Sequence, residues 1–226
     1  IVARVINADR VDYSLYKLER EDFLDLYRRR YGQQCPQNDG ACRHWQSYDP
    51  GGLEKIRSWS ETYEADFNVP VHVITKVTTD SGDKIPPGFY FLDLKIPQGA
   101  HDNMVMIVSK SALTVKKSDE QIFSWAVNQS TGEVVSGMKM QLTDSSGNVL
   151  SQGESNNDGV FVKEADLFHK NDLFVFGQKD DDLVVAASAW SEGIKRYNFG
   201  LPSYYNAGES KDYRSKQDYK LFLTLD

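Results

Sequence analysis

Phe123-Ser124-Trp125-Ala126-Val127-Asn128 and Met138-Lys139-Met140-Gln141-Leu142-Thr143 are the two runs whose reading decides the fold. In the first, Phe123, Trp125 and Val127 alternate with Ser124, Ala126 and Asn128. In the second, Met138, Met140 and Leu142 alternate with Lys139, Gln141 and Thr143. A period of two is the signature of a β-strand. Turn signals sit between and beyond these runs: Thr131-Gly132, Ser145-Ser146-Gly147-Asn148 and Asn156-Asn157-Asp158-Gly159. Asp-Gly and Gly-Asn pairs reach the positive φ angles that hairpin turns require. Leu173 to Gly177 and Leu183 to Ala187 are short apolar runs, as expected of strands buried on both faces. Strands at this spacing with Gly-rich turns indicate an antiparallel sandwich.

Towards the N-terminus the text is also strand-like. Val11, Tyr13 and Leu15 alternate with Asp12 and Ser14. Strand text resumes at Arg57 to Glu64, Val71 to Thr78, Phe89 to Lys95 and Met104 to Val108. Between the early strands lies a helix. Phe23, Tyr27 and Tyr31 recur every four residues beside Leu24 and Leu26, with Asp22 as N-cap and Gly32 at the end. This apolar stripe needs something to bury against, so the helix caps a sandwich or faces a partner. Arg28, Arg29 and Arg30 form its basic cluster, read as a solvated face or a charged partner site.

The 226 residues are too many for one ordinary sandwich and comfortable for two, with 40% hydrophobic residues to build cores. The aromatic share of 12% suits strands. A net charge of -7 and a pI near 5.2 repel phosphate backbones and disfavour nucleic-acid binding. No stretch approaches the roughly 20 apolar residues of a membrane span. The chain opens on Ile1 without signal-peptide text and stops within the apolar run Leu221 to Leu225, so a piece of a larger polypeptide is expected.

Cys35 and Cys42 enclose the turn-forming stretch Pro36-Gln37-Asn38-Asp39-Gly40-Ala41. That spacing suits a small disulfide loop and hence an oxidising compartment. Two free thiols in a reducing compartment are the alternative. Metal binding with His44 fits no common zinc spacing.

The expected organisation follows. Residues 1–110 form a β-sandwich with a helical, disulfide-closed insertion at about 19–56. Residues 111–200 form a second sandwich, and 201–226 a Tyr-rich linker and the start of a following strand. The boundary falls near Ser109-Lys110-Ser111, with seven strands expected in each sandwich.

Catalytic signatures are missing from the text. His44, His72, His101 and His169 are scattered, and no Ser elbow, His-Glu-x-x-His helix or phosphate loop occurs. Asp180-Asp181-Asp182 does not read as a metal site, because neighbouring strand side chains alternate. Asn156 to Gly159 lacks the distal Glu of a calcium loop. Asn128-Gln129-Ser130 is a formal glycosylation sequon. No catalytic, cofactor-binding or metal residue is therefore assigned, no cofactor is expected, and the chain is read as non-enzymatic.

The second segment resembles a macroglobulin-like domain of bacterial alpha-2-macroglobulins. The resemblance runs from Ser111-Ala112-Leu113-Thr114-Val115-Lys116 through Phe123 to Val127 and Ser130 to Leu142. It closes with Gly147-Asn148-Val149-Leu150 and Asn157-Asp158-Gly159-Val160-Phe161. In the family's hairpin text Val134 replaces a usual Pro and Met138 a usual Ala. Ile85-Pro86-Pro87-Gly88-Phe89-Tyr90 resembles the entry to a late strand of such domains. Leu223-Thr224-Leu225-Asp226 resembles the lead into a following one.

The resemblance implies an all-β pair of Ig-like, macroglobulin-like antiparallel sandwiches within an extracytoplasmic protease-trapping inhibitor. Such proteins present a bait segment and collapse around the protease that cuts it. The family's thioester motif, Cys-x-Glu-Gln, is absent at both Cys35 and Cys42. The implied role is scaffold, with neighbouring macroglobulin domains as partners and target proteases met through the whole protein. The alternative is an Ig-like module of a surface adhesin or stalk binding a protein or glycan. Tyr204, Tyr205, Trp45 and Trp59 are its candidate aromatics.

Overall fold

The structure is a computed structural model that describes residues 1–30, 48–97, 99, 101–167 and 172–190, without the side chains of Arg29 and Arg30. Cys35, Cys42, Tyr31, Gly32, His44, Trp45, His169, Tyr204, Tyr205 and the segment 201–226 lie outside the described residues.

Thirteen strands are described: β1 (Val2–Val5), β2 (Arg10–Leu18), β3 (Lys55–Thr62), β4 (Val71–Ile74), β5 (Gly88–Lys95), β6 (His101–Val108), β7 (Ser111–Lys117), β8 (Gln121–Asn128), β9 (Lys139–Asp144), β10 (Val149–Glu154), β11 (Val160–Glu164), β12 (Leu173–Lys179) and β13 (Asp182–Ala187). One α-helix, α1 (Arg20–Arg30), follows β2. Every strand pair is antiparallel. The strands form four sheets, ordered β3-β2-β5-β6, β1-β4, β10-β9-β12-β13 and β11-β8-β7. The first two draw only on strands before Ser109, the last two only on strands after Lys110. Residues 1–190 form one compact unit.

The alternation read at Val11, Tyr13 and Leu15 faces the first core, where Tyr90 and Leu92 of β5 join them. Tyr90 also closes its own strand entry. Its hydroxyl donates to the carbonyl of Pro86 at 2.8 Å, the brace of a tyrosine corner. Asn156 to Gly159 makes the expected turn: Asn156 Oδ1 accepts from the N–H groups of Asp158 and Val160, and Gly159 holds φ +73.

Four details depart from the sequence reading. Strand β4 stops at Ile74, short of the run expected from Val71 to Thr78, and the described residues of the first set hold six strands. Just beyond β4 the Thr75 backbone still exchanges two bonds with Ile1, both at 3.0 Å, while the Trp59 indole donates to Thr75 Oγ1 at 3.0 Å and Arg57 donates to Thr78. Pro86 and Pro87 have no N–H to extend a ladder. Asp22 is not the N-cap. It sits inside the first turn and its carboxylate accepts the Glu19 N–H at 2.9 Å, the reaching-back half of a capping box. The four-residue strand β1 has no counterpart in the sequence reading. In β8 the buried side is Ile122, Ser124 and Ala126, while Trp125 is 39% exposed.

Candidate functional site

No constellation of catalytic side chains distinguishes the described residues, and the most elaborated region is the layer around α1. It forms because two strands bury both faces. On β5, Tyr90 and Leu92 face the first core, while Phe89 and Phe91 face outward. On β12, Leu173 and Val175 face the second core, while Phe174 and Phe176 face outward. These outward aromatics meet Tyr16, Leu18, Val185 and Ala187 in a third cluster, which α1 fills with Phe23, Leu24, Leu26 and Tyr27. The predicted apolar stripe of the helix is thus buried between two sheets.

Ring geometry is specific. Phe23 stacks on Phe89 at 4.7 Å and meets Phe174 and Phe176 edge-on at 6.1 and 6.2 Å. Tyr27 meets Phe174 edge-on at 4.6 Å. Trp190 adds edge contacts to Phe23 and Phe174. Such pairs contribute about 0.5–1.5 kcal/mol each beyond their buried area.

Polar contacts tie the helix to the second set of strands. Arg20 lies 3.8 Å over the ring of Phe176 and donates to Gln141 Oε1. Arg28 donates to the carbonyl of Ser145 and pairs with Asp25, both at 3.3 Å. This places Arg28 of the predicted basic cluster on a structural contact. Burial pushes the Arg20 guanidinium below its ordinary pKa, opposed by the nearby Glu21 charge. A groove of about 350 Å³ runs beside these residues, lined by Arg20, Leu24, Arg28, Gln141, Gly147 and Val149. The unpartnered Nη2 of Arg20 is closed to solvent, so it offers the groove no donor.

The junction between the two strand sets is also fixed. Asp182, 6% exposed, accepts the Lys110 N–H at 2.8 Å and the Ser109 hydroxyl at 3.0 Å through one oxygen. Ser109 Oγ accepts the Ser111 N–H at 3.0 Å. Lys110 Nζ contacts both oxygens of Asp181 at 2.7 Å. That bond holds the Asp181 carboxyl below, and the Lys110 ammonium above, its ordinary pKa. The Asp run therefore splits its roles: Asp181 is a surface ion pair, while Asp182 points inward at the junction.

The other candidates are placed as follows. His72 lies exposed on β4, opposite Arg4. His101 lies on β6, 3.2 Å from the buried Asp93, which also pairs with Lys95 at 2.8 Å. The hydrogen bond from Lys95 to Asp93 raises the ammonium's pKa. The two histidines sit on different sheets and form no common site. Trp59 stacks on Tyr13 at 5.0 Å with Arg57 over its face, so it is a packing residue. Asn128 Oδ1 accepts the N–H groups of Ser130 and Thr131, which ties the sequon into its turn. Among the described residues no group of His, Cys, Asp and Glu is placed to hold a metal, and no helix is long and apolar enough to cross a membrane. Val2 and Ile74 pair across β1 and β4 with both side chains exposed, on the same face as Arg4 and His72.

Among the described residues, antiparallel sheets of four and two strands are followed by sheets of four and three, an all-β architecture of the sandwich class. Among solved structures, the chain is similar to native alpha-2-macroglobulin from Escherichia coli spanning domains NIE-MG1, with a TM-score of 0.62 and 10% identity over 82% of this chain and 86% of that one. It is similar to the same protein spanning MG0-NIE-MG1 (TM-score 0.59, 13% identity), again over 82% of this chain but 57% of that one. It also matches the native conformation of the E. coli protein determined by cryo-electron microscopy (TM-score 0.50, 12% identity), where it spans 11% of that chain. At these identities the likeness is one of fold. No protein-family model and no curated protein matches the sequence.

Proposed function

We propose that this chain is a structural domain pair of an alpha-2-macroglobulin-like protease trap, contributing spacing and packing but no catalytic group. The observation that carries the reading is the likeness of fold to the structure spanning NIE-MG1, which covers 82% of this chain. Two local features of the resemblance support it, since the Asp158-Gly159 turn and the Pro86–Tyr90 brace both form. Its partners are neighbouring macroglobulin domains of the same polypeptide. The exposed face of β1 and β4, where Val2 and Ile74 sit beside Arg4 and His72, gives such a domain a mixed apolar and basic surface to pack against. Proteases are met through the whole protein, in an extracytoplasmic compartment that the Cys35–Cys42 spacing also favours.

The test is shielding. The complete polypeptide containing this chain is purified and mixed with trypsin. A trap leaves trypsin active on a small chromogenic peptide while blocking its attack on a large protein substrate. Deleting residues 1–190 should abolish that difference. Trypsin that digests both substrates equally in the presence of the intact polypeptide overturns the reading.

A further inference from the structure

We propose that α1 is a wedge that locks two separately cored sandwiches into one rigid body, so that residues 1–190 move as a unit. Adjacent domains joined by a short linker ordinarily meet through modest, rather polar surfaces and shift as independent bodies. This pair is built otherwise. Each sandwich has a core of its own, one around Tyr13, Leu15 and Leu92, the other around Ile122, Met140 and Leu142. A third apolar layer lies between them, and no residue of that layer belongs to either core. Leu26 at its centre is 0% exposed. The helix is anchored on both sides, by Phe23 on Phe89 of the first sheet and by Tyr27 on Phe174 of the second. Arg20 and Arg28 add directional contacts to Gln141 and Ser145.

The junction has no slack either. Ser109 and Lys110 are held by Asp182, while Gln129 donates from its backbone to Lys110 O at 2.9 Å and from its side chain to Ser111 O at 2.7 Å. A hinge needs backbone that can change φ and ψ without losing partners. Here the peptide groups at the junction are bonded to two different turns. Rearrangement in a parent polypeptide would then pass this pair by and act at its outer boundaries. The inference concerns the joint alone, so it stands or falls separately from the protease-trap reading.

Amide residual dipolar couplings on residues 1–226 test it. Couplings from β2, β3 and β5 and from β9, β12 and β13 are fitted to separate alignment tensors. One shared tensor is expected for the wild type. In Phe23→Ala/Tyr27→Ala the tensors should diverge about twofold in magnitude, as the halves begin to reorient independently, while the amide dispersion of both sandwiches persists. Two tensors in the wild type would overturn the locked joint. A single tensor in the double variant would overturn the role of α1. Loss of dispersion from both sandwiches together would overturn the claim of separate cores.

Discussion

Replacing Gly159 by alanine tests the turn that carries most of the resemblance in the second sandwich. Gly159 has φ +73, and a Cβ there would lie 2.6 Å from the Ala126 carbonyl oxygen, 3.1 Å from Val134 Cβ and 3.3 Å from Val135 N. Real carbon–oxygen contacts do not reach such a distance, so something must move. The backbone is poorly placed to do so. Ala126 O accepts the Val135 N–H at 2.9 Å, and Gly159 O accepts the Ala126 N–H at 2.9 Å. Gly132 supplies the control: its φ is also +73, but a Cβ there meets nothing within 4 Å. Gly132→Ala should therefore register left-handed backbone strain alone, about 1–2 kcal/mol. Gly159→Ala should add the overpacking cost of about 1–3 kcal/mol, for a total of about 2–5 kcal/mol. Urea unfolding followed by circular dichroism measures both. Equal losses in the two variants would refute the steric reasoning, because only the neighbours differ between the sites.

Other outcomes are expected from single groups. Ser124 is fully buried with a hydroxyl that has no partner, so Ser124→Ala should leave stability unchanged or raise it by up to about 1 kcal/mol; a clear loss on urea unfolding would point to a bound water there. Asp182→Ala strips the acceptor from Lys110 and Ser109 and should cost about 1.5–3 kcal/mol. Asp182→Asn keeps one acceptor oxygen and should cost less, so equal losses would discount the junction bonds. Asp12 accepts from Ser60 Oγ at 2.6 Å and from Arg10 Nε at 2.7 Å, and these bonds hold its carboxyl below 3.8. A depressed folded pKa stabilises above the unfolded value and is lost as the pH falls through the folded one. The urea midpoints of wild type and Asp12→Asn should differ at neutral pH and converge as the pH drops below 3.8; a gap that persists in acid would show that the bonds to the carboxylate are not its cause.

Much of the fold was written locally. Met138, Met140 and Leu142 are buried as their alternation implied, and the unbroken apolar run Leu173 to Phe176 lies between two cores. The face of β8 was not readable from alternation. Its small side, Ser124 and Ala126, turns inward where Met138 and Met140 fill the core and Phe161 of the neighbouring β11 lies in register with Ser124. The larger Trp125 is left outside with its indole donating to Asp158 O. Strand β1 was missed because its partner β4 is some seventy residues away, pairing Val2 with Ile74. A four-residue run carries little signal without that partner. The helix announced an apolar stripe but not what it packs on, since Phe89 and Phe91 come from β5 and Phe174 and Phe176 from the distant β12. The inward turn of Asp182 was hidden by its exposed neighbours. It follows from strand alternation once β13 is known to start there.

Sharing explains why this pair needs a helix at all. A sandwich normally leaves the outer faces of its sheets to water, and polar residues then alternate with apolar ones. Strands β5 and β12 break that rule with Phe89, Phe91, Phe174 and Phe176 on their outer faces. Left bare, four phenylalanines would make two sticky surfaces of the kind that mark interfaces or aggregation sites. Phe89 and Phe176 touch directly, edge-on at 6.1 Å, and the helix covers what that contact leaves bare. A helix between them adapts, because its side chains radiate around the axis and reach both sheets at once. Phe23 does this within a single residue, stacking on Phe89 and meeting Phe174 and Phe176 edge-on. The segment after β2 therefore works less as decoration on one sandwich than as the mortar between two. On the proposed scaffold role, that mortar keeps the spacing between the sandwiches constant while neighbouring parts of a larger polypeptide move.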